Sequence, residues 1–334
     1  MNRTLIACTF VAFVGCNPYA PEQTLALSTG KAMVQQFETC WGFWNDAKWD
    51  QLATCYAPDA VSEEFGTGHP PASGPDGIVA SAKVLKTAFP DMTGEPLVEL
   101  VDENHVVVSI VLVHGTQTGP LETPTGVIAP TNRKAGMFVS QVIEFGNDGR
   151  AQRVAMYDDM ATLMSQLAPS KDREARAPVE ALPHSKRVAI ATDDERERVN
   201  SSVVPQLIYL LNRHDLAGLD TVIAEDVVWS EAAAPMDHDR AGLHTTLAQL
   251  WKAIPDLTFR ATSMYRAGGY VAVAGTFEGT LQGDVPSLQI HKTGTHVVVP
   301  YDAIQQLEGG KITKSWMFFQ GTALGMQPAA AARR

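Results

Sequence analysis

Residues 45–64 read NDAKWDQLATCYAPDAVSEE and residues 212–231 read NRHDLAGLDTVIAEDVVWSE. Laid one beneath the other without a gap, they share Asn45/Asn212, Leu52/Leu219, Ala57/Ala224, Asp59/Asp226 and Glu64/Glu231. Further along, AFPDMT matches AIPDLT, pairing Asp91 with Asp256, and HGTQTG matches EGTLQG. PTNRKAGMFVSQVIEF then matches KTGTHVVVPYDAIQQL in unchanged order. Such ordered self-similarity marks an internal duplication.

Between the copies lies APSKDREARAPVEALPHSKRVAIATDD, whose Ala, Pro and charge content is that of a linker. The division expected is a first domain over 28–168, a linker over 169–191, a second domain over 192–328 and a tail over 329–334.

Each copy carries the same order of periodicities. Met33, Phe37, Cys40, Trp41 and Trp44 recur at helical spacing, and Trp49, Leu52 and Cys55 continue on a second short helix. DGIVASAKVLKTAF predicts a third helix, closed by Pro90. Two hairpins of long strands follow, turning at Asp102-Glu103-Asn104 and at Asn147-Asp148-Gly149. Copy two turns at Ala267-Gly268-Gly269 and Glu308-Gly309-Gly310, and Pro205 predicts a late start or a kink in its first helix. Helices followed by antiparallel strands define an α+β fold, here two tandem cones, each a curved sheet wrapped around its helices. The open mouth of such a cone is a natural small-molecule pocket.

Composition narrows the partners. With 45% hydrophobic and 19% charged residues the chain can build real cores, and a net charge of −11 without a basic tract excludes a nucleic-acid footprint. The first 16 residues read as a lipoprotein-type signal: Arg3 in a short basic head, an apolar run over 5–14, then Gly15-Cys16. That run is too short to span a bilayer. Phe13 stands where a lipobox usually has Leu, and an ordinary signal peptide or a start codon placed too early are the alternatives. A lipidated Cys16, followed by a tether over 17–27, would place the protein on a membrane at the periplasmic or cell-surface side of a bacterial envelope. Cys40 and Cys55 flank the first helical turn of the mature chain and are candidates for a disulfide, with two buried thiols as the alternative.

Taken together, APDAV/AEDVV, FPDMT/IPDLT, HGTQTG, PTNRK/KTGTH and the closing MYDDMATLMSQL resemble the SnoaL-like polyketide cyclases, or ester cyclases, of the nuclear-transport-factor-like cone superfamily. The resemblance covers both copies. It implies ring closure by intramolecular aldol chemistry with no metal or organic cofactor, and a pocket carboxyl that moves the proton. A carboxyl in an apolar cone has a raised pKa and serves as acid or base near neutrality. Counting back from Leu167 along the family's closing motif gives Asp159 as that residue, and leaves Asp158 solvated. An N-cap on the following helix is the competing role for Asp159.

Gln117 stands where the family often has His, and can donate to an enolate oxygen but not shuttle a proton at neutral pH. His114, three residues earlier, is a rim or ligand candidate. Tyr157 and Trp316 lie near the acid position. Trp41 and Trp44 are core residues or a wall for a flat ligand, and Tyr301 faces an unknown side of its strand. In copy two Gln320 takes the acid's place and Leu281 that of the His, so proton transfer is expected in copy one alone. Three functions compete: a cofactor-free cyclase, isomerase or hydrolase; an anchored binding protein for a small hydrophobic molecule; and an assembly protein, whose cones pair as an internal pseudo-dimer or a homodimer.

Overall fold

The computed structural model describes residues 20–65, 69–123, 126–158, 160–169, 176–232, 234–288 and 290–324. Cys16 and Asp159, the lipidation and catalytic candidates, lie outside the described residues.

The first domain begins with helices α1 (Ala20–Asn45) and α2 (Trp49–Ala53). Strand β1 (Tyr56–Phe65), the short β2 (Ala72–Ser73) and helix α3 (Gly74–Ala88) follow. The sheet is completed by β3 (Thr93–Val101), β4 (Val106–Thr116), β7 (Lys134–Phe145) and β8 (Ala151–Tyr157), with a small ribbon of β5 (Leu121–Thr123) and β6 (Gly126–Ile128) between β4 and β7. Helix α4 (Met160–Leu167) closes the domain, and β9 (Arg187–Ile190) returns to its sheet. The second domain repeats the plan with α5 (Glu195–Asn212), α6 (Leu216–Val222), β10 (Ile223–Glu231) and α7 (Arg240–Ala253). Its long strands are β11 (Thr258–Ala267), β12 (Tyr270–Thr280), β13 (His296–Glu308) and β14 (Lys311–Phe319). The sheet orders correspond: β2-β1-β8-β7-β4-β3-β9 in the first domain and β10-β14-β13-β12-β11 in the second.

The repeated polar residues hold the same joints in both copies. Asn45 Oδ1 accepts from the backbone N–H of Gly94 at 2.7 Å, as Asn212 Oδ1 does from Phe259. The Asp of each Pro-Asp pair ties the strand start to the Gly-Thr of the next: Thr116 N–H donates to Asp91 and Thr280 N–H to Asp256, each at 2.7 Å. These bonds hold both exposed carboxyls below their usual pKa. In the shared Thr-x turn, Asn132 takes a left-handed φ of 54° where copy two has Gly294 at 71°, and Asn is the residue that tolerates what Gly adopts freely.

Three expectations change. Helix α1 starts at Ala20, within the stretch assigned to a tether, because Pro21 falls in its first turn, where a helix accommodates proline. Helix α5 runs from Glu195 straight through Pro205, so it does not start late; the Asp194 carboxylate caps it by accepting from Glu197 N–H. The described part of the linker engages both domains: the Arg176 guanidinium donates to the carbonyls of Glu231 and Ala234 and to Asp237 of the second, while later residues pack on the first. β9 pairs in parallel with β3 from Val98↔Arg187 to Val101↔Ile190, and Val179 N–H donates to Gly136 O. Lys186 links Glu38 of α1 to the buried Glu99 of β3.

Cys40 and Cys55 form a disulfide joining α1 to the end of α2. The core of each domain lies between its sheet and its helices. A third apolar cluster joins the outer faces of the two sheets, with Leu100, Val108 and Ile110 against Ala272, Ile304 and Phe318. The two cones therefore stand back to back.

Candidate active site

The interior of the first cone holds a cavity of about 160 Å³. Helix α1 supplies Phe37, Trp41 and Trp44 to its wall, and α3 supplies Ile78, Ser81 and Leu85. From the sheet come Val113, Met137, Val139 and Gln141, and α4 closes one side with Met160 and Leu163. The cavity is overwhelmingly apolar, with a few polar groups directed into it, as expected of a binding pocket. Trp41 and Trp44 meet edge to face, with centroids 5.3 Å apart. Trp41 Nε1 donates to Gln141 Oε1 at 3.2 Å, which fixes both side chains. Burial pushes the Tyr56 phenol up to about 12, so it stays protonated in the wall.

Two carboxyls enter this space, Glu64 and Asp158. Strands β1 and β8 run in parallel with Glu64 opposite Met156 and Phe65 opposite Tyr157. Alternation along β8 turns Val154 and Met156 into the cone and continues to Asp158. Glu64 Oε1 also accepts from Ser81 Oγ at 3.3 Å.

Asp158 thus corrects its sequence reading. It is buried and lines the cavity instead of being solvated. Counting along a motif selected Asp159, which lies outside the described residues; the period-2 pattern through Val154 and Met156 carries Asp158 into the cavity. The same alternation displaces two ligand candidates. Tyr157 points to the outer face, stacked on Phe65 at 4.8 Å, within the cluster between the domains. Trp316 lies on the matching outer face of β14, with Lys314 Nζ 4.6 Å from its ring centroid.

Gln117 is no pocket donor either. Its Nε2 donates to the carbonyls of Gly119, Ile128 and Ala129 at 3.2–3.4 Å, and its Oε1 accepts from Thr131 Oγ1 at 2.7 Å. The loop between β4 and β7 is wound around that amide. His114 faces away from the cavity that its neighbour Val113 lines, with Nε2 2.9 Å from Glu95 Oε1 and 3.2 Å from Thr93 Oγ1. Trp41 and Trp44 do line the cavity.

In the second domain the equivalent interior is occupied by rings. Register makes Val113, Val139 and Asp158 equivalent to Phe277, Tyr301 and Phe319. Phe277 lies 5.4 Å from Phe319, and Phe259 packs on both Phe277 and Tyr301. Tyr301 is therefore core. Gln320 is buried one position beyond Phe319 and does not line the cavity. The carboxyl retained in this domain is Glu231, the counterpart of Glu64. It accepts from Trp229 Nε1 at 3.2 Å, and burial outweighs that bond to push it up to about 7. Among the described residues no three His, Cys, Asp or Glu side chains are grouped as metal ligands, and no helix is long and apolar enough to cross a membrane.

Two family models match the chain, one in each half. Residues 31–167 match the family of SnoaL-like polyketide cyclases and residues 204–315 match the SnoaL-like domain. Among solved structures, wild-type IdmH from Streptomyces antibioticus is similar, with 20% identity and a TM-score of 0.34 over 37% of this chain and 94% of that one. A SnoaL-like polyketide cyclase from Agrobacterium tumefaciens strain C58 gives 18% identity and a TM-score of 0.32, covering 38% of this chain and 94% of its own. No curated protein matches. The chain belongs to the SnoaL-like family and carries two of its cone domains in tandem.

Proposed function

We propose that this chain is an exported, lipid-anchored SnoaL-like protein whose first cone receives a small hydrophobic molecule. The observation that carries the reading is the cavity of about 160 Å³ with two carboxyls and a few neutral polar groups in a mainly apolar and aromatic wall. An apolar interior drives uptake of an apolar body, and a few polar groups orient it. Asp158, at the end of β8, is the group positioned to exchange a proton with a bound ketone or ester, giving aldol cyclase or isomerase-like chemistry in domain 1. Domain 2, with its interior occupied by Phe277, Tyr301 and Phe319, has a supporting role. Anchoring through Cys16 supports capture outside the cytoplasm.

The test compares the unmodified chain with Asp158→Asn and Asp159→Asn on a panel of hydrophobic ketones and esters. Turnover lost in Asp158→Asn, with ligand retention and Asp159→Asn turnover intact, is the expected result. A second reading, a purely binding or assembly protein with a degenerate cyclase fold, is favoured by the ring-filled second cone. It is supported if the unmodified chain binds the panel and turns over none of it. For anchoring, Cys16→Ser is expected to release the protein from the membrane fraction.

A further inference from the structure

The ionisable groups lining the first cavity share one sign. Glu64 and Asp158 are carboxyls, Tyr56 is a phenol held protonated, and among the described residues no Lys, Arg or His contributes to the wall. The nearby Lys86 lies 4.7 Å from the Trp44 ring centroid, but its ammonium is spent on the carbonyls of Asn45 and Met92 and it does not line the cavity. The rings of Phe37, Trp41, Trp44 and Phe145 line the same cavity. An ammonium group is attracted both by carboxylates and by aromatic faces. A ligand carboxylate would meet two like charges in a medium of low dielectric.

Size narrows the class further. An apolar cavity of about 150 Å³ holds benzene, so a cavity of about 160 Å³ holds one ring with a short substituent.

We propose that the first cone binds a one-ring organic amine in its protonated form, the ammonium directed to Glu64 and Asp158 and the ring against the Trp41–Trp44 wall. This rests on the reading of domain 1 as a small-molecule receptacle and names the chemistry of its occupant.

Benzylamine, benzyl alcohol and benzoate are three probes of nearly one shape and three charges. Calorimetric titration of the whole chain at pH 7 is expected to show benzylamine binding at least about tenfold more tightly than benzyl alcohol, the worth of a charge-assisted bond, with benzoate weakest. In Glu64→Gln/Asp158→Asn the advantage of benzylamine over benzyl alcohol is expected to vanish. Equal affinity for amine and alcohol, tightest binding of benzoate, or an amine advantage that survives the double substitution overturns the amine assignment and leaves the receptacle standing. Binding of none of the three by the unmodified chain removes both. The comparison on the unmodified chain needs no variant to fold.

Discussion

Ser140 Oγ donates a hydrogen bond of 2.5 Å to Asp302 Oδ2, and these two residues occupy the same position in the two copies. In a two-fold interface a contact from i to j is matched by one from j to i, so a position that meets its own counterpart lies on the axis. Duplication has turned that self-contact into an unequal pair, hydroxyl on one side and carboxyl on the other. Both are fully buried. Burial pushes the Asp302 carboxyl up to about 7, the Ser140 bond pulling the other way.

Stability should therefore fall with rising pH. In the unfolded chain Asp302 ionises near the ordinary carboxylate pKa, and in the folded chain it keeps its proton to about 7. Between those values the native state binds more protons, so unfolding free energy drops as pH rises through the window and stays low above it. Buried Glu99 and Glu231, also raised to about 7, act in the same direction. The informative quantity is thus the difference between the unmodified chain and Asp302→Asn in urea titrations at pH 5 and pH 8. The substitution should remove a loss on the order of 2–4 kcal/mol. Equal pH slopes in the two proteins would contradict the assignment.

The Cys40–Cys55 bridge closes a segment with a sequence separation of 15. A loop of that size is worth about 3 kcal/mol when cross-linked. Calorimetry of Cys40→Ser/Cys55→Ser should show a lower Tm than the oxidised parent, and reductant should lower the parent's Tm while leaving the variant unchanged.

Gln117→Leu should weaken the fold without touching the pocket. The change removes the hydrogen bonds that gather the carbonyls of Gly119, Ile128 and Ala129 and the hydroxyl of Thr131. Leaving such groups unpaired costs roughly 1–3 kcal/mol each when they are buried, less where water reaches them. Denaturant titration should register a loss of a few kcal/mol, and affinity for a ring ligand should hold.

Phe277 and Tyr301 fill the second cone where Val113 and Val139 line the first. Truncation of either to Ala should cost about 3–5 kcal/mol, the usual penalty for deleting a packed ring, and leave ring binding in the first cone intact. A large fall in that binding would show that the second domain's interior shapes the first domain's pocket.

Much of the architecture was legible because the duplication exposes which residues recur. Asn45/Asn212 and Asp91/Asp256 recur because each ties the same joint with the same bonds. The facing of the long strands was harder to read. Along β4, Val106 to Val113 are buried on both sides, one face in the cone and the other against the second domain. A strand buried twice loses the polar alternation that identifies its inner face. Tyr157 and Trp316, pocket candidates because they lie near the acid position, belong to the seam between the sheets. Asp158, read as solvated, lines the cavity because a motif count ignores the pleat, and on a strand a shift of one reverses inside and outside.

Strand β9 sets where the polypeptide can be divided. A fragment that stops at Leu167 would surrender the seventh strand of its own sheet and leave the backbone of β3 bare, an open template for a neighbouring chain. The remaining fragment would carry that orphaned strand with nothing to receive it. A split after Ile190 would keep β9 with β3 while still parting cross-domain pairs such as Ser140–Asp302 and Arg176–Asp237, so the textual midpoint of the duplication and the edge of the first sheet are about twenty residues apart.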